Sequence, residues 1–134
     1  MAQINSFEDL ECWKAATELR RYVSKGILSK FPPDEKFALT NQLRRSSRSV
    51  SDNISEGYGR FHFQENIQSC RMARGSLCES LNQVIIARDE DYIDDEIMLE
   101  FRQIYEKTKA ILNGYINYLK NAKKQYIKLL AHNT

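Results

Sequence analysis

Four stretches of the chain carry apolar residues at steps of three and four, the spacing of a single helical face. The first runs Leu10, Trp13, Ala16, Leu19, Val23 and Ile27. Ser6 reads as its N-cap, with Asp9 in the capping-box position. Pro32 and Pro33 end it, because a proline biases the preceding Phe31 away from the α region. The helix predicted spans about 7–30. In the second stretch Asp34 reads as the cap, and Leu39, Leu43, Ser47, Val50 and Ile54 form the stripe. Its centre, Ser46 to Ser51, is poor in helix propensity and needs tertiary packing to hold it. Those small side chains let a neighbouring helix approach closely. Gly57 and Gly59 read as the C-terminal stop.

The third helix is predicted over about 62–90, with Ile67, Cys70, Leu77, Leu81 and Val84 as its stripe. Arg74 falls on a core position of that register, and Gly75 beside it reads as a point of close packing or a kink. The fourth starts at the acids 94–96, which suit the positive end of a helix. Its seam is Ile97, Phe101, Ile104, Thr108, Ile111, Tyr115, Tyr118 and Ala122, a heptad repeat. A second stripe, Leu112, Ile116 and Leu119, flanks it and predicts an interface between subunits. The tail from about 120 is basic and extends the helix or frays. Residues 1–134 thus read as one all-α domain, an up-down four-helix bundle.

Composition narrows the picture. Five glycines and two prolines among 134 residues are too few for a sandwich of many short strands. No apolar run is long enough to span a bilayer, and residues 1–10 form no leader, so the expectation is a cytoplasmic protein without membrane attachment. Cys12, Cys70 and Cys78 are an odd number and form no C-x-x-C pair, which argues against a disulfide framework. His62 and His132 have no ligand partner at metal spacing. No metal and no cofactor is expected.

The net charge of +2 conceals strong polarity. Residues 89–106 hold eight acids and one base, whereas residues 107–134 hold six bases and no acid. The acidic run lacks the ordered spacing of a calcium loop. Ser46, Ser47, Ser49, Ser51 and Ser55 lie in no nucleophile elbow, so no catalytic residue is assigned and the chain is read as a non-enzyme. The arginines carry more. Arg44, Arg45 and Arg48 lie within little more than one turn and Arg60 follows the glycine stop, with Tyr58, Phe61 and His62 as stacking surfaces beside it. Such guanidiniums either contact phosphates or pair with Glu35, Asp52, Glu56 or a neighbouring subunit. Glu56 opposes the helix dipole and is expected to be neutralised by Arg60 or Arg74. Lys120, Lys123, Lys124 and Lys128 form a second basic site on the tail.

Two blocks of residues carry a resemblance. Glu35, Leu39, Gln42, Arg44, Arg45, Ser49, Val50, Asn53, Ile54, Ser55, Glu56, Gly57 and Arg60 form the first; Ala73, Arg74, Gly75, Ser76, Leu77 and Glu79 form the second. Together they are similar to the pattern of the bacterial ribosomal-RNA intervening-sequence proteins, a family of four-helix bundles. Phe7, Leu10, Trp13 and Ala16 fit its opening helix, and the likeness runs from about 7 to 120. Ser47, Val50 and Ser55 stand where the family usually has Ala, Ile and Ala. The resemblance implies a homopentameric barrel without catalysis. Some members are encoded within insertions in large-subunit (23S) ribosomal RNA genes. A related branch, the accessory variability protein of diversity-generating retroelements, is strongly basic and works with nucleic acid. The function expected is an oligomeric scaffold that binds RNA or DNA weakly and without sequence preference. The alternative is a protein–protein adaptor whose arginines build the bundle.

Overall fold

The structure, a computed structural model, describes residues 3–133. Its four long elements are α1 (Glu11–Tyr22), α2 (Leu39–Gly59), α3 (Phe63–Asp89) and α4 (Asp95–His132), with no strand among the described residues. Helices adjacent in sequence are adjacent in space, and α4 closes back onto α1. Each neighbour runs antiparallel to the last, so the all-α bundle is up-down-up-down.

The first predicted helix is built in pieces. Ser6 does form a capping box: its Oγ accepts the Glu8 amide at 2.9 Å, and the Asp9 carboxylate accepts the Ser6 amide at 3.2 Å. The box caps a single 3₁₀ turn, Phe7–Asp9, because Leu10 is extended and separates that turn from α1. Phe7 then packs edge-on against Trp13, centroids 5.4 Å apart. After Tyr22 the helix widens into a π turn, Val23–Ile27, and tightens into a 3₁₀ turn, Leu28–Lys30. The wider turn holds an extra residue, which brings Val23, Ile27 and Leu28 all to the core.

Asp34 is not the cap of α2. It lies inside a 3₁₀ turn, Pro33–Glu35, and α2 begins only at Leu39, whose amide leans on Glu35 Oε1 at 3.4 Å. Glu35 is also the acceptor of the Tyr92 hydroxyl at 2.9 Å, which ties this connection to the α3–α4 turn. That turn is closed by Arg88, which pairs with Asp91 and Asp95 and holds the Asp95 carboxyl below its usual range. Asp94 caps α4 by accepting the Ile97 amide at 2.9 Å.

The serine-rich centre of α2 packs on α3 as its composition requires. Ser46 is buried and bonds both Ser80, at 2.8 Å, and Gln83 Oε1, at 2.6 Å. Ser76 bonds Ser49 at 2.9 Å. Gly57 belongs to this contact and is not a helix stop. It is buried in the last turn of α2, and a Cβ placed there would lie 2.7 Å from Ser69 Cβ and 2.8 Å from Asn66 Oδ1. The left-handed residue in the α2–α3 turn is Phe61, with φ 56°. Gly75, read as close packing or a kink, is instead exposed on an outer face with open space around it. Arg74 is half-buried and donates to Asn113 Oδ1 at 2.9 Å, pinning α3 to α4.

The fourth helix corrects a second expectation. Leu112, Ile116 and Leu119 are buried inside the single chain, so they are core residues and supply no subunit interface. The core line of α4 is Phe101, Tyr105, Thr108, Leu112, Ile116 and Leu119. Beyond Thr108 the heptad seam turns outward: Ile111 and Tyr115 are half-buried, and Tyr118 is 62% exposed.

Glu56 pairs with Arg60 at 2.9 Å, with both side chains more than half exposed. Glu56→Ala is therefore expected to leave the melting temperature essentially unchanged in a thermal scan, since exposed pairs add little. Gly57→Ala is expected to cost about 1–3 kcal/mol in urea denaturation, as overpacking does. Gly75→Ala should act oppositely and gain about 0.5–1 kcal/mol, because nothing in the chain opposes a methyl there.

Candidate nucleic-acid interface

An α-helix advances about 100° per residue, so adjacent Arg44 and Arg45 on α2 point in different directions, whereas Arg44 and Arg48 at i and i+4 share a face. Arg45 faces the groove between α2 and α3, beside Ser49, Ser76 and Glu79. Arg48 faces the groove between α1 and α2, beside Trp13, Asp52 and Arg20. Arg44 is half-buried. Among the described residues, no ion pair reaches Arg44, Arg45 or Arg48, so the expected pairing with Glu35 or Asp52 is not made. Each of these two grooves nevertheless contains a carboxylate, and Arg60 already holds Glu56. The arginine cluster of the sequence is thus divided among three places.

The tail lysines behave differently. The helix does not fray at 120; α4 continues to His132. Lys120, Lys123 and Lys124 line one side of a groove whose other side is Gln64 and Arg71 of α3. Buried Ile67 forms its floor, and the exposed Ile127 lies at its edge. No carboxylate lines it. Lys123 Nζ donates to Gln64 Oε1, a neutral partner, and no ion pair engages the four cations among the described residues. Lys128 lies one turn further out on the exposed end of α4, with Ile127, Leu129 and Leu130 also exposed. Arg71 has no distinguishing sequence signal. Only the antiparallel register of α3 and α4 brings it opposite the tail.

Across the α3–α4 seam lies an aromatic cleft of about 290 Å³. Tyr58, Phe61, His62, Phe63, Tyr115 and Tyr118 supply its rings. Asn66 Nδ2 donates to Tyr115 Oη at 3.1 Å, and burial pushes the Tyr115 hydroxyl up to about 12. At the end of the bundle, Phe63 touches Tyr126 with centroids 6.0 Å apart, which separates the cleft from the lysine groove.

Of the three cysteines, Cys12 and Cys70 are buried, whereas Cys78 is exposed, with its sulfur 3.7 Å from the Tyr105 hydroxyl. Burial raises the Cys12 thiol to about 12 and the Cys70 thiol to about 11, well away from thiolate chemistry at neutral pH. Ser46, Ser47 and Ser51 are buried, and none of the five serines bonds a histidine among the described residues. Among those residues no group of three or more His, Cys, Asp or Glu side chains is arranged to hold a metal ion. No helix is long and apolar enough to cross a membrane.

A comparison with curated proteins returned no match. The family model described as "23S rRNA-intervening sequence protein" matches residues 8–114, which takes in α1, α2, α3 and the first half of α4, while Lys120, Lys123, Lys124 and Lys128 lie beyond the matched segment. With four antiparallel helices and most of its length matched, the chain belongs to the 23S rRNA-intervening sequence protein family.

Proposed function

We propose that this protein is a non-enzymatic, cytoplasmic scaffold that assembles into an oligomer and binds RNA or DNA weakly and without sequence preference. The observation that carries the reading is the groove of Arg71, Lys120, Lys123 and Lys124. Four cations from two helices converge there with no carboxylate among the lining residues. Clustered, uncompensated like charge is costly in a folded surface and is relieved by an anionic polymer.

Assembly, in the pentameric form that the family resemblance implies, would repeat this modest groove around an axis. Repetition gives avidity without new contacts in any one copy. Leu112, Ile116 and Leu119 lend assembly nothing, being internal. Its support is the exposed apolar surface at Met72, Ile86 and Leu99, together with open space at Gly75.

Fluorescence anisotropy with labelled single-stranded RNA and DNA, across a salt series, tests the function. Affinity is expected to fall steeply with salt, the log–log slope rising by about 0.7 per phosphate neutralised. Lys123→Glu with Lys124→Glu should weaken binding at low salt by more than tenfold and flatten the slope, on the order of 1–2 phosphate contacts being lost. Arg44→Glu with Arg48→Glu should weaken it less, because Asp52 already lies beside Arg48. Light scattering on the same samples should return a mass several times 15.7 kDa for every variant. Absence of binding to any strand at low salt would overturn the reading in favour of a protein–protein adaptor.

A further inference from the structure

The aromatic cleft has features that packing alone does not account for. Phe61 is 86% exposed and sits at φ 56°, a left-handed conformation that disfavours a large side chain. It is therefore both strained and unburied, yet it shares the rim with Tyr58, ring centroids 6.2 Å apart. The facing wall comes from α4, where Tyr115 and Tyr118 lie nearly parallel, 11° between planes and 6.2 Å between centroids. Tyr118 is also exposed. Between these walls Tyr115 Oη accepts from Asn66 and donates to no group among the described residues, which leaves its hydroxyl able to donate to a ligand. Rings on both sides with one free donor is the lining that a flat heterocycle with acceptor edges requires.

The geometry points to this cleft as the seat of an unpaired base of a single-stranded nucleic acid, with the strand's neighbouring phosphates in the Arg71–Lys120–Lys123–Lys124 groove across the α3–α4 seam. The assignment rests on the nucleic-acid reading above and adds to it a preference for unpaired bases. Charge selects the occupant. The cationic groove beyond the Phe63–Tyr126 contact suits a ligand that is planar in one part and polyanionic in the next. A strand crossing that contact meets stacking surfaces first on Tyr126 and Phe63, then in the cleft. RNA and DNA share this chemistry.

The test compares strands of about twelve nucleotides, within the site sizes of single-strand binders: oligouridylate, oligothymidylate, an abasic strand with the same phosphates, and a duplex. The full-length protein is expected to prefer the base-bearing single strands over the abasic strand and the duplex by at least about fivefold, the low end for one base–aromatic stack. Phe61→Asn and Tyr118→Ala should each remove most of that preference while leaving the salt slope unchanged. Asn tolerates the left-handed conformation, so Phe61→Asn should melt no lower than the parent, and a folding defect is separable from a lost contact. Equal affinity for base-bearing and abasic strands, or variants that keep the preference, would overturn the cleft assignment and leave the groove reading standing. Failure to bind any strand would overturn both.

Discussion

Everything in this bundle is arranged around the close contact of α2 with α3. A helix whose centre reads Ser-Ser-Arg-Ser-Val-Ser has little tendency to form alone, and its persistence for 21 residues requires a partner. The same small side chains that weaken it locally allow that partner to come close. Gly57 sets the limit, with Ser69 and Asn66 occupying the space where a side chain would be. Ser46, Ser80 and Gln83 then satisfy one another inside the contact, so burying their polar atoms carries no unmet desolvation cost. Because Asn66 is held against Gly57 on one side, its amide is placed to reach Tyr115 on α4, and the α2–α3 contact thereby positions Tyr115 in the α4 wall of the cleft.

The helices were legible from their apolar spacing because each has one face in the core. What the spacing did not reveal is where that face lies along a long helix. A heptad repeat advances 3.5 residues per turn and a straight helix 3.6, so the two separate by about 20° every seven residues. In α4 they coincide at Phe101 and Thr108. Further on, the core line passes to Leu112, Ile116 and Leu119, and the heptad positions Tyr115 and Tyr118 rotate to the edge. The misreading of Leu112, Ile116 and Leu119 as an outer interface and the existence of an aromatic wall have this one cause. Gly57 and Gly75 depart from their sequence expectations for a related reason: a glycine's role depends on what faces it from another helix, and a single sequence carries no such register.

The candidate site was legible in its charges and not in their convergence. Arg45 and Arg48 are neighbours in sequence but line different grooves, which contain Glu79 and Asp52 respectively. Lys120, Lys123 and Lys124 were visible as a basic run, but Arg71, about fifty residues earlier, joins them only because α3 and α4 are antiparallel. Convergence matters more than count here. A cation beside a carboxylate presents a dipole, whose field falls quickly in salt water, whereas uncompensated cations that line one groove reinforce one another within a Debye length of about 8–10 Å.

The part of α4 that carries these lysines lies beyond the segment shared with the family. It is also the part least supported by the bundle. Past the contacts of Tyr126 with Phe63 and Lys123 with Gln64, the last turn and a half leaves Ile127, Leu129 and Leu130 exposed. A short, exposed helix end is marginal in water, and repulsion among Lys120, Lys123, Lys124 and Lys128 weakens it further, since like charges at i and i+4 destabilise a helix. An anion in the groove removes that repulsion and favours the helical form of the tail. If the proposed strand binds, part of its binding free energy would go to relieving this repulsion within α4. On the proposed reading each copy would then bind weakly, and repetition of the groove in an assembly, or a base held in the cleft, would be the two physical routes to useful strength.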